Sequence, residues 1–129
     1  MTDFQKTCIN IFAVCVIPLL VTACGGEQKV SFSEDVQPIL EQHCVQCHQP
    51  GGQGELASGL DMTSYEGLMK GTRNGPMVIA GDTEGSNLLV LVEGRADPSI
   101  KMPHGNNQPL AKADIETIRS WIGQGAKNN

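Results

Sequence analysis

Apolar positions fall in short blocks along this chain, with glycines and prolines frequent between them. The longest block, Cys8 to Val21, reads CINIFAVCVIPLLV. It is short for a membrane span, which needs roughly 20 apolar residues, and has the length of a signal-peptide core. Val36, Ile39 and Leu40 then form a helical stripe leading to Cys44. Ser31 and Glu34 stand at capping-box spacing. Pro38, however, is tolerated only in a first turn, so the pattern starts this helix at Ser33 or Asp35. Gln49 to Gly59 contains PGGQG and reads as loop. Ser64 to Lys70 reads as a short helix stopped by Gly71, with Thr63 and Glu66 at capping-box spacing. Ser86 to Glu93 reads as a helix stopped by Gly94, although Leu88 to Val92 has some strand character. Arg95 to Pro109, with three prolines, reads as irregular. Lys112 to Gly123 reads as the final helix, with Ile115, Ile118 and Ile122 on one face and Asp114 and Glu116 in its first turn. Short helices joined by long loops predict an all-α domain, and local propensity does not say what orders the loops.

The chain has 129 residues, a net charge of −5 and a pI near 5.0, which suits one domain. The acidic balance excludes a nucleic-acid binder, which needs a basic patch. Aromatic residues make up only 4%, although such side chains carry much of the burial energy of small cores. The leading segment does not relieve this shortage. Val21-Thr22-Ala23-Cys24 resembles a bacterial lipoprotein signal ending, with Cys24 the acylated first residue of the processed chain. An ordinary secretory signal or an anchor helix is the plainer reading. Gly25 after the cysteine points to outer-membrane sorting. Removing residues 1–23 leaves the charge unchanged, since Asp3 and Lys6 leave together, and leaves Phe32, Tyr65 and Trp121 as the aromatics. Cys8 and Cys15 also leave. With Cys24 acylated, Cys44 and Cys47 are the one pair available for chemistry.

Cys44-Val45-Gln46-Cys47-His48 is a C-x-x-C-H motif, the signature of covalent c-type haem attachment. Residues at i, i+3 and i+4 share a helical face. Cys44 and Cys47 can therefore reach the two vinyl groups of one porphyrin while His48 comes up under the iron. A redox dithiol expects a βαβ context, and none is visible. A structural zinc site needs four ligands, and His43, Cys44, Cys47 and His48 are too contiguous to wrap one ion easily. The haem reading also supplies the missing core volume, because a porphyrin is a large apolar body.

An electron-carrying haem iron takes a second axial ligand, usually Met or His. Met62, Met69 and Met77 read as core filler. Met102 lies in Ile100-Lys101-Met102-Pro103-His104-Gly105, a stiff loop before the last helix, and is the expected distal ligand. His104 is its rival and would make a bis-His site. His43 reads as exposed, or hydrogen-bonded near the haem edge.

With C-x-x-C-H early, Met-Pro late and Trp121-Ile122 in the terminal helix, the chain resembles a class I monohaem cytochrome c, more narrowly the planctomycete-type cytochrome c domain. The resemblance runs from Val30 to Ala126. It includes Asp35, Pro38-Ile39-Leu40, Gly59-Leu60-Asp61, Gly81, Ser86, Leu110 and Gly125-Ala126. Ala111 departs from it, standing where a Ser, Thr or Asp cap is usual. The resemblance implies a cytochrome c fold packed around one covalently bound haem c, its first and last helices crossing beside the cofactor. It implies Cys44 and Cys47 as thioether ligands, His48 as proximal ligand and Met102 as distal ligand. The expected organisation is a removed signal peptide over 1–23, a tether over 24–29, the cytochrome domain over 30–126 and a tail over 127–129. The expected role is a lipid-anchored electron carrier, exported to the periplasm or cell surface, with iron cycling between ferric and ferrous. It is not an enzyme, since both axial positions are filled. Redox partners with basic docking patches suit the acidic surface. Two alternatives stand beside this: a haem subunit of an extracellular electron-conduit assembly, and a ligand sensor with a labile distal side. No signal for an oligomeric state is present.

Overall fold

A computed structural model of the protein describes residues 28–105 and 108–129. The expected signal peptide over 1–23, Cys24 and most of the expected tether over 24–29 lie outside the described residues. No helix among the described residues is long and apolar enough to cross a membrane. The architecture is all-α. A π-helical turn, Phe32–Val36, runs into α1, Gln37–His43. α2 is Gln53–Ser58, α3 Tyr65–Lys70, α4 Asn87–Val92 and α5 Lys112–Gly123, with a 3₁₀ turn at Pro98–Ile100. Instead of strands, the described residues hold one isolated bridge between Thr72 and Gly75.

The first helical segment starts earlier than Ser33 or Asp35. Ser31 is its cap, its hydroxyl accepting the Glu34 N–H at 3.2 Å. The return bond comes from Asp35, whose carboxylate accepts the Ser31 N–H at 2.7 Å. That partner lies one residue beyond the usual capping-box position. The extra residue is accommodated by the wide turn, in which the Val36 N–H reaches back five residues to Ser31 O. Pro38 then sits in the first turn of α1, where it withdraws no needed donor.

The 49–59 stretch is not all loop, since α2 occupies its second half. α3 begins at Tyr65, one residue later than expected, and its cap is Ser64, which accepts the Gly67 N–H at 3.0 Å. Thr63 is instead tied to Asp61. Helix wins over strand at 87–92. α5 has the expected bounds, and Ala111 gives it no side-chain cap.

The three aromatics among the described residues form one cluster. Phe32 meets Tyr65 edge-on at 5.2 Å and Trp121 at 5.4 Å. Their polar tips are satisfied, Tyr65 donating to Ala126 O and Trp121 to Lys127 O, both at 2.8 Å. The rest of the interior is aliphatic side chains with Met62 and Met77. Residues 127–129 close on the start of the fold. Asn129 O accepts from the hydroxyls of Ser31 and Ser33, and the Asn129 side chain accepts the Phe32 N–H. Glu93 binds α4 to its surroundings, pairing with Arg95 and with Arg119 of α5.

Ser86 is fully buried. Its hydroxyl accepts the Ile79 N–H at 2.9 Å and donates to Asp82 O at 2.6 Å. Ser86→Ala leaves both backbone groups without that partner and should cost about 1–3 kcal/mol. Chemical denaturation should show a lower midpoint with an unchanged slope.

Candidate functional site

The C-x-x-C-H motif prolongs α1 as a helical turn. The Cys44 and Val45 N–H groups both reach Leu40 O, at 2.8 and 2.9 Å. Cys47 and His48 donate in turn to Cys44 O, at 3.1 and 3.0 Å. Cys44, Cys47 and His48 thus share the face that their spacing predicts. Both cysteines are half-buried free thiols. Burial, with Cys47 beside it, pushes the Cys44 thiol up to about 11, so it is protonated at neutral pH. Burial holds His48 below the ordinary imidazole value, opposed in part by the Leu60 backbone. Its Nδ1 is buried and has no hydrogen-bond partner in range among the described residues. His48 is therefore a neutral ring with a lone pair to offer.

The turn is held from outside. Gly54 and Glu55, in the first turn of α2, donate to Cys47 O at 2.9 and 3.1 Å. The Met62 N–H donates to His48 O at 2.8 Å. Gly52 has no room for a side chain, since a Cβ there would collide with that same Cys47 carbonyl. These supports went unread in the sequence. Glycine in PGGQG signals a turn, and nothing local distinguishes a turn glycine from one pressed against a neighbour.

A cleft of about 670 Å³, counting its open mouth, lies beside the turn. Cys44, Cys47 and His48 line it together with Met102. Leu60, Met62, Met77, Leu88, Leu91 and Val92 supply apolar wall. Met62 and Met77 are buried core residues that also face the cleft. Met102 is half-buried against the core, and its N–H donates to Leu91 O at 3.2 Å, tying the loop to α4. His104 also lines the cleft but is exposed, with Nδ1 3.3 Å from Lys101 O. His43 is half-buried at the cleft edge, its Nε2 3.9 Å from the Asp114 carboxylate of α5.

This donor set suits a covalently held haem: two thiols and a neutral imidazole on one turn, a thioether on the same cleft, and apolar walls. No group of three or more His, Cys, Asp or Glu side chains placed to hold a metal ion is found among the described residues. Fold and site define a small all-α domain of the cytochrome c class. Residues 44–105 match the family described as Planctomycete cytochrome C. Such a domain implies covalently bound haem and points to haem-based electron transfer. The chain is also 27% identical over 95 residues to hydrazine synthase subunit alpha of Kuenenia stuttgartiensis. That alignment covers 74% of this chain and 10% of the relative, so the chain spans about a tenth of the relative's length. No solved structure matches.

Asp61 pins the segment that supports His48. Its carboxylate accepts from the Thr63 hydroxyl at 2.7 Å and the Thr63 N–H at 2.9 Å. Those bonds, the hydroxyl's first, hold its pKa below the ordinary carboxylate value. A depressed carboxylate contributes stability that is complete above the unfolded pKa and is lost as pH falls through the lower folded value. Thermal midpoints followed from pH 5 down to about pH 3 should fall less steeply in Asp61→Asn than in the parent.

Proposed function

We propose that the protein is a monohaem electron carrier with His48 and Met102 as the two iron ligands and Cys44 and Cys47 as the thioether attachments. The observation that carries this reading is one cleft lined by the C-x-x-C-H turn and by Met102. Bound haem would supply a one-electron couple. His48 offers a neutral nitrogen, because burial disfavours its charged form. Met102 offers a thioether from a loop fastened to α4, and is preferred to His104 because it is the half-buried member of the pair. A Met sulfur and apolar walls both favour the ferrous state and raise the potential. Joined to the cofactor, Cys44 has no thiol proton to lose.

The setting follows from the sequence. An apolar leader ending at Ala23-Cys24 supports export and a lipid anchor on Cys24, with a periplasmic or cell-surface location. The −5 charge supports redox partners bearing basic docking patches. A second reading has its own support in the likeness to a synthase subunit, of whose length the alignment covers 10%. On that reading the domain relays electrons inside a larger assembly. A ligand sensor needs Met102 to leave the iron.

Visible spectra separate these readings. Ferric protein should show the weak far-red sulfur-to-iron band, and the ferrous form should bind carbon monoxide poorly. Met102→Ala should abolish the band and open the iron to carbon monoxide, while His104→Ala should leave both unchanged. The opposite pattern would assign His104 instead. Intact mass of membrane-extracted protein should show a chain starting at Cys24 with a lipid adduct; a start elsewhere, or no adduct, defeats the anchor.

A further inference from the structure

Gly54 lies flat against the imidazole of His48. A Cβ built on it would stand 2.7 Å from Cε1, 2.8 Å from Nε2 and 2.9 Å from Nδ1 of that ring. Real Cβ contacts are almost never so short, and three ring atoms at nearly equal distance mean that the α-carbon faces the plane of the ring. Gly54 sits inside α2 and has no left-handed backbone to explain it. Alanine is the better helix former at such a position. The glycine is therefore explained by its neighbour.

The helix has little freedom to retreat. At its start the Gly54 and Glu55 N–H groups hold Cys47 O. At its far end Arg73 donates from Nη2 to Leu56 O and Ala57 O, both at 2.8 Å, and from its backbone N–H to Ser58 O at 2.9 Å. The Ser58 hydroxyl closes the turn onto Gly54 O at 2.6 Å. With α2 pinned at both ends, the movable member of the contact is the ring. The usual orienting partner of a ligating histidine is an acceptor on its second nitrogen; the Leu60 backbone bears on this ring, but no acceptor stands in hydrogen-bond range of Nδ1 among the described residues.

We propose that Gly54 is a positioning residue that sets the rotation of the His48 ring about its own axis. This rests on His48 being the proximal ligand. The plane of that ring decides along which porphyrin direction the unpaired spin of ferric iron spreads. Steric packing by a helix thus adds to the pull of the Leu60 backbone in orienting the ring.

The test is proton NMR of the ferric holoprotein, read at the paramagnetically shifted haem methyls. Gly54→Ala should change the order or spread of those resonances while the iron stays low-spin. Ser86→Ala is the structural control. Its hydroxyl binds the backbone of Ile79 and Asp82, neither of which lines the cleft. It should lower the thermal midpoint and leave the methyl pattern in place. An unchanged pattern in Gly54→Ala, or an equal change in Ser86→Ala, overturns the proposal. If Gly54→Ala does not take up haem, adding Arg73→Ala frees the far end of α2 and should restore uptake; failure to restore it also overturns the proposal. A parent protein without a low-spin histidine-ligated spectrum defeats the proximal-ligand reading itself, a separate outcome.

Discussion

The turn from Cys44 to His48 has to hold still if three side chains are to meet one flat cofactor, and it is held through its backbone. The carbonyl of Cys47 takes two N–H donors from α2, and the carbonyl of His48 takes one from Met62. These bonds join the motif to segments that follow it at once in the chain. Support of this kind is local in sequence and insensitive to side-chain identity, except where a side chain would intrude. The small residues at 52 and 54 are the consequence. The rest of the fold is arranged around that turn. α4 receives the Met102 loop, α5 meets the opening π-turn, and Asp61 fixes the bend between His48 and Met62.

The scarcity of aromatic residues takes on a spatial meaning. Phe32, Tyr65 and Trp121 are drawn together into one cluster where the first and last helical segments meet. Rings are spent on the junction that closes the chain, and aliphatic and thioether side chains face the cleft. Apolar burial contributes roughly 25 cal/mol per Å². A large flat cofactor in the cleft would therefore supply stabilisation that this chain does not encode in rings.

Much of this was legible in the sequence. α5 could be read to its ends because its apolar positions repeat at helical spacing and glycines follow them. The C-x-x-C-H face was legible because backbone geometry alone puts i, i+3 and i+4 together. α2 was not legible. Gly51, Gly52 and Gly54 argue for loop on propensity, and the helix forms because its first N–H groups find Cys47 O, a partner outside the segment. The start of the first helical segment was misplaced because Pro38 was taken to mark the first turn of the whole segment. The opening π-turn precedes the turn that holds Pro38, so Ser31, which capping-box spacing offered, is the cap. The role of Met102 was readable from its loop, but its burial relative to His104 needed three dimensions.

The junction between Ser31 and Asn129 has an architectural consequence. After circling the cleft, the polypeptide comes back to the point it left, so the two ends of the domain lie side by side. Such a unit can be spliced into a loop of a host protein without prying the host apart.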